Sequence, residues 1–303
     1  MVNKSRSRSV FRGYLFAFGA TALWSGNFIV ARGLSESIPP VTLAFFRWLV
    51  AVTVFTPFAI KTLMHEWPII KKNKAYFSIT SLLGITTFNT LIYYAGHTTT
   101  AMNLSLIAIS FPIFILIFSR ILYKELLTVK KGIGIVFVLT GVVFLITKGN
   151  ISTLLNISFN IGDVWMLTAA IVFAVYSLFL KNKPQGLSVI TLQLSTMILG
   201  LFFLSPFFLW EQSLVHDFFL NKTTAPAILY VGIFASLFAF ILWTNAIIIL
   251  GPSKAGMVYY TLPLFSGLAG YLFLHESVGI IHFYSMVFIF LGILITNHES
   301  RNK

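Results

Sequence analysis

The 303-residue sequence contains no cysteine. Disulfide staples, thiolate metal sites and a cysteine nucleophile are thereby excluded. Charge is nearly as scarce: 10% of the residues are Asp, Glu, Lys or Arg, against about 25% in soluble domains. Only eight residues are acidic: Glu36, Glu66, Glu125, Asp163, Glu211, Asp217, Glu276 and Glu299. All eight fall at the ends of long apolar runs or between them. No histidine sits at mid-depth either; His97 and His282 lie near run ends. The buried acid that proton-coupled membrane carriers commonly use as a proton carrier is therefore missing, and uniport or solute exchange is at least as consistent with the sequence as proton antiport. There is no glycine-rich phosphate loop, so ATP held by this chain is not an expected energy source. The acids are too scattered for the clustered His, Asp or Glu of a membrane-embedded lipid-modifying transferase. No channel-type selectivity filter is recognisable. No metal site, cofactor or catalytic residue is expected.

What the chain has in abundance is apolar surface, with 57% hydrophobic residues and a mean hydropathy of +0.90. Ten apolar segments, at about 13–31, 41–60, 76–95, 101–119, 131–147, 162–180, 188–209, 226–248, 255–274 and 280–297, approach the roughly 20 residues that a membrane-crossing helix needs. None alternates with the two-residue period of a strand. The expected fold is an all-α membrane protein with ten transmembrane helices and no separate soluble domain. The basic N-terminus (Lys4, Arg6, Arg8, Arg12) resembles that of a signal peptide, but the apolar run after it is of spanning length and lacks a small-residue cleavage site, so it is read as a retained first span. The net charge of +13 does not point to nucleic acid, because the basic residues sit in the short breaks between apolar runs. With the N-terminus in the cytoplasm, only Arg32, Lys148 and Lys222 fall on the outer side, while Arg47 lies within the second segment. Both termini are thus expected to be cytoplasmic, in the cell's inner (plasma) membrane.

The chain is also written twice. Residues Ile85 to Leu145 lie over Ser236 to Thr296 at a constant offset of 151, and an upstream register at offset 149 lays Trp24 over Phe173 and Asn27 over Tyr176. Pro112 meets Pro263, Glu125 meets Glu276 and Gly141 meets Gly292. Each copy, 1–148 and 149–303, holds five segments. Five is odd, so two copies that each cross the membrane five times are inverted relative to one another. Inverted repeats are the sequence trace of alternating access.

The order and spacing of several short motifs carry a more specific resemblance. These are Ala22-Leu23-Trp24-Ser25-Gly26-Asn27-Phe28, Phe46-Arg47-Trp48, Tyr93-Tyr94-Ala95, Pro112 and Tyr123-Lys124-Glu125, with Trp243-Thr244-Asn245-Ala246, Pro263 and Leu274-His275-Glu276 in the second copy. Over nearly its whole length the chain resembles the EamA branch of the drug/metabolite transporter superfamily. The resemblance implies secondary transport of a small organic metabolite (an amino acid, an aromatic or amphipathic compound, or a drug), often outward. Exchange or uptake of a nucleotide-like metabolite is the alternative. It also implies a central cavity walled by spans one, three, four, six, eight and nine. The family's usual Gly before the glutamate is here Lys124 in one copy and His275 in the other.

Individual residues sharpen this expectation. Trp24 and Asn27 share a helix face at i and i+3, as do Phe173 and Tyr176 in the second copy. Asn89 and Tyr93 stand at i and i+4 on the third span, and Phe240 replaces Asn89 in the repeat. An amide in hydrocarbon needs a partner. Trp24, Asn27, Asn89, Tyr93, Phe173 and Tyr176, with Tyr259, Tyr260 and Asn245, are the candidate solute-binding residues. Neighbouring helical residues point about 100° apart, so at most one of Tyr259 and Tyr260 faces a cavity. Trp243 reads as an interfacial aromatic. Pro112 and Pro263 are candidate gate-shaping kinks, and Glu125 and Glu276 candidate latches that pair when a side is closed. Two readings of Arg47 stand: it snorkels to the interface, or it attracts an anionic group of the solute. Expected partners are the lipid bilayer and a small-molecule solute, with the protein a monomer or homodimer.

Overall fold

The computed structural model describes residues 2–99, 101–126, 128–147, 149–150, 152–155, 160–214, 221–274 and 279–297. Among them, all regular structure is helical. Eight helices are long and apolar enough to cross a membrane. They lie within α1 (Val2–Gly33), α2 (Pro40–His65), α3 (Lys74–Thr98), α4 (Ala101–Ala108 and Ser110–Tyr123), α5 (Val129–Ile146), α6 (Ile161–Lys181), α7 (Val189–Leu214) and α8 (Thr224–Leu250). The last two expected segments fall short for different reasons. The ninth, α9, is split into Pro252–Tyr259 and Leu262–Leu274, and the tenth, α10 (Ile280–Asn297), has a shorter apolar stretch, Ile280–Thr296.

Local sequence explains the helix ends. Pro40 and Pro252 occupy first-turn positions, where the missing N–H costs nothing. Thr128 caps α5 by accepting from the Lys131 N–H, and Asn160 and Asp163 form a reciprocal capping box on α6. Lys124 ends α4 in the left-handed region at φ 55°. That conformation favours glycine, which gives a backbone reason for the Gly expected at this position.

Pro112 and Pro263 have equivalent effects. Each removes the N–H that would bond the carbonyl four residues back, Ala108 or Tyr259. The first half of α4 ends at Ala108 and the first half of α9 at Tyr259. The chain crosses both breaks on tight three-residue bonds: Ile109 N–H to Leu106 at 3.3 Å, and Tyr260 N–H to Met257 and Thr261 N–H to Val258 at 3.3 and 3.0 Å. A second equivalence was not legible in the sequence. Within α3 and α8, residues Leu82–Thr87 and Val231–Phe238 form π-helical turns; the repeat register lays Thr87 over Phe238. Such wide turns recur at functional positions.

The halves interlock around a pseudo-twofold relation. α1 packs on α8 as α6 packs on α3, and α2 pairs with α7 and α5 with α10. The last two pairs each join a helix to its own repeat mate, and both run antiparallel. In the α5–α10 crossing, a Cβ on Gly292 would lie 2.5 Å from the Gly134 carbonyl, and one on Gly141 would lie 2.8 Å from the Ser285 carbonyl. Gly134 lies over Ser285 and Gly141 over Gly292, so the crossing obeys the repeat. Close approach through small residues is the usual basis of helix association in lipid.

The α2–α7 pair, 26 residues in each helix, is tied at both ends. Glu211, at the end of α7, accepts the Val41 and Thr42 N–H groups at the start of α2 at 3.1 and 2.6 Å, and the Thr42 hydroxyl at 2.7 Å. At the opposite end, Glu66 accepts the N–H and hydroxyl of Ser188, just before α7, at 2.8 and 3.0 Å. Each helix thus carries the carboxylate that satisfies its partner's free N-terminal donors.

Candidate functional site

The interlocked packing brings one face of α1, α2, α3, α6, α8 and α9 to the centre of the bundle. Trp24, Asn27, Asn89, Tyr93, Phe173, Tyr176 and Tyr259 all lie there, and all are buried. Trp24 contacts the rings of Phe173, Phe240 and Trp243 with centroids 5.3, 5.6 and 5.3 Å away. Phe111 adds contacts to Phe173 and Tyr259 at 4.8 and 4.7 Å. Most of these pairs are edge-on or tilted, the arrangement that ring quadrupoles favour.

Arg47 is the chemical centre of this region. It does not snorkel: it is 0% exposed and turned into the bundle. Its Nε donates to Ser236 Oγ at 2.7 Å, and its Nη2 to the Ala235 carbonyl at 3.2 Å. Its Nη1 faces Asn27 Oδ1 at 3.0 Å, Asn89 Oδ1 at 2.8 Å and the Tyr93 hydroxyl at 2.6 Å. Tyr93 in turn donates to Asn27 Oδ1 at 3.0 Å. The guanidinium also lies 5.2 Å from the Trp48 ring centroid and 5.6 Å from that of Tyr93, within cation–π range. Every hydrogen-bond acceptor named here is neutral. No carboxylate is among its partners, so Arg47 is a buried cation without a carboxylate partner among the described residues.

The second half answers this cluster with a neutral one. Thr196, Tyr176 and Thr244 lie over Arg47, Asn27 and Tyr93 in the repeat. Gln193, one turn before Thr196, donates through Nε2 to Thr244 Oγ1 at 2.6 Å. Trp243 donates to Ser177 Oγ at 3.0 Å. Trp243 is therefore a central residue and not an interfacial one, being 0% exposed among Trp24, Phe111 and Phe173. Gln193 and Thr244 carried no signal in the sequence, since the first lies in an ordinary apolar run and the second beside a more conspicuous Trp and Asn.

Two candidate residues are elsewhere. Tyr260 packs with Ile109, Val138, Val142 and Ile289, a cluster at α5 and α10 that is separate from the main core; of the tyrosine pair, Tyr259 faces the centre. Asn245 is half-buried, and its amide bonds its own helix at the Ile241 carbonyl, at 2.8 Å. A cleft of about 360 Å³ between α9 and α10, lined by Leu264, Leu268, His282, Phe283 and Met286 among others, does not touch the central residues and is almost wholly apolar.

At one end of the bundle Glu125 joins α4 to the second half. It pairs with Lys181 Nζ at 3.6 Å and Lys131 Nζ at 4.0 Å, and accepts from the Ser253 hydroxyl. Lys181 Nζ lies 3.8 Å from the Tyr123 ring centroid. At the opposite end Asp163, on α6, accepts from Thr99 Oγ1 at 2.5 Å and from Asn103 Nδ2 at 3.1 Å. Glu276 lies outside the described residues.

The comparisons with known proteins agree with this architecture. The family model of the EamA-like transporters matches residues 11–147 and again 160–298. An uncharacterized transporter of Archaeoglobus fulgidus is 27% identical over 264 residues, covering 84% of this chain and 86% of the relative. The uncharacterized transporter YyaM of Bacillus subtilis is 23% identical over 281 residues, covering 93% and 92%. A solved crystal structure superposes with a TM-score of 0.74 over 93% of this chain and 95% of its own, at 17% identity, which shows a shared fold. The chain is a multi-pass membrane protein that belongs to the EamA-like transporter family.

Proposed function

We propose that the protein is a secondary transporter that moves a small organic solute bearing a carboxylate on an aromatic or amphipathic body, by alternating access, outward across the inner membrane. The halves 1–148 and 149–303 act as inverted five-span repeats with both termini in the cytoplasm, and the protein works as a carrier and not as an enzyme. One observation carries the solute class: the permanently charged Arg47 is fully buried among neutral acceptors. A buried cation without a counter-ion keeps an unused electrostatic capacity, and a planar guanidinium matches a carboxylate. The aromatic rings of Trp24, Phe173, Phe240 and Trp243 supply the flat apolar wall for the body of the solute. Glu125 tying the halves together at one end and Asp163 at the other support a closed, occluded state. Proline breaks at equivalent places in α4 and α9 supply hinges on the two sides.

The test is counterflow in proteoliposomes with a panel of carboxylic acids and their matched primary amides. Saturable counterflow of the acids but not of the amides is expected. Arg47→Lys, which keeps the charge but loses the planar fork, is expected to raise KM by roughly tenfold. Equal competition by the amides, or an unchanged KM in Arg47→Lys, refutes the carboxylate assignment.

A further inference from the structure

The second-half cluster contains two buried polar atoms without a hydrogen bond, Gln193 Oε1 and the Tyr176 hydroxyl. Both residues are 0% exposed. The Tyr176 hydroxyl lies beside Gln193 and Thr244 but makes no well-formed hydrogen bond with either. Gln193 directs its Nε2 to Thr244, which leaves the amide oxygen as an open acceptor. Orphaned polar atoms at full burial are costly and call for an explanation.

Their position relative to Arg47 supplies one. The Tyr176 ring packs against Gly84 on α3: a Cβ there would lie 2.3 Å from the ring. Arg47 meets Asn89, five residues further along the same helix. The Asn89 amide also reaches back toward Gly84, its Nδ2 3.4 Å from that carbonyl, so both poles adjoin the same stretch of α3. Phe240 touches the Tyr176 ring and also the Trp48 ring beside Arg47.

We propose that Gln193 and Tyr176 form a second polar subsite that takes a hydroxyl group of the solute, at the far end from its carboxylate. A hydroxyl answers both orphans at once, donating to Gln193 Oε1 while accepting from the Tyr176 O–H. The preferred solute is then a hydroxylated aromatic acid, with ring and short chain spanning the two poles. The inference rests on the carboxylate reading of Arg47.

The experiment compares 3-(4-hydroxyphenyl)propionate with 3-phenylpropionate, which differ only in the phenol oxygen, by proteoliposome counterflow with the full chain. The intact protein is expected to carry both and to prefer the hydroxylated acid by about tenfold or more in KM. Gln193→Leu and Tyr176→Phe are each expected to remove most of that preference while 3-phenylpropionate is still carried saturably, which also reports that the variants fold. Tyr176→Phe deletes a single oxygen and serves if Gln193→Leu does not fold. No preference in the intact protein, or a preference that survives Tyr176→Phe, overturns the hydroxyl subsite alone. If neither acid is carried, the carboxylate reading fails and the subsite falls with it.

Discussion

The geometry of Arg47 makes a quantitative prediction about how its neighbours share work. Its Nη1 nitrogen carries two hydrogens but faces three acceptors, Asn27, Asn89 and Tyr93, all within 3.0 Å. One acceptor is therefore redundant at any moment. Replacing Asn27 by Leu leaves Asn89 and Tyr93 to satisfy both hydrogens, and replacing Asn89 by Leu leaves Asn27 and Tyr93. Asn89→Leu is expected to cost about 1 kcal/mol, the modest net value of one hydrogen bond, and Asn27→Leu about 2 kcal/mol, because it also takes away the acceptor of the Tyr93 hydroxyl. The double replacement further strands one N–H of a buried cation, which raises the expected cost to about 5 kcal/mol, since an unpaired buried charge is far more expensive than a lost bond. The coupling in the double-mutant cycle is then about 2 kcal/mol. Reversible denaturant titration in detergent micelles, followed by tryptophan fluorescence, measures all four corners. Additive single effects, with coupling below about 0.5 kcal/mol, refute the shared-acceptor reasoning.

Three further outcomes follow from the same structure. Lys124→Gly relieves a side chain held at φ 55° and is expected to raise stability by about 0.5–1 kcal/mol, the left-handed penalty less the entropy glycine adds to the unfolded chain, as a raised melting temperature. Gly292→Val places a side chain where even a Cβ lies 2.5 Å from the Gly134 carbonyl; prising α5 from α10 is expected to cost about 2–3 kcal/mol in the same titration. The cysteine-free sequence allows a single reporter at Ala255→Cys, which is buried two residues after Ser253, the hydroxyl partner of the candidate latch Glu125. Because the Glu125 pairs are partly exposed, Glu125→Gln is expected to raise its rate of thiol labelling only about fivefold; an unchanged rate means that the latch does not hold that end shut.

The sequence disclosed depth well and direction poorly. Asn27, Asn89 and Tyr93 stand out because an amide or phenol in a long apolar run needs a partner, and the structure brings all three to Arg47. The direction of Arg47 was not legible. Its distance from the helix end fits both snorkelling and burial, and only the packing of α1, α3 and α8 around α2 decides between them. Trp243 misleads for the same reason, as an aromatic near a segment end looks interfacial until its helix is rotated into place. The π-helical turns in α3 and α8 leave no mark in residue type, and the end-to-end carboxylates Glu66 and Glu211 look like ordinary loop acids until an antiparallel partner is supplied. The sequence predicts ten segments, and among the described residues eight are long, apolar helices, while the tenth shows the shorter apolar stretch Ile280–Thr296.

The exchange of end caps between α2 and α7 sets a dimension. If either helix slides along the other by a single residue, about 1.5 Å, the carboxylates at both ends lose their donors together, whereas rotation of the pair as one body disturbs neither. Arg47 rides on α2 and Gln193 on α7. If the helices rock as proposed, the span between Arg47 and Gln193 is therefore a fixed gauge that stays constant through the cycle, set by the two end caps and not by the moving helices.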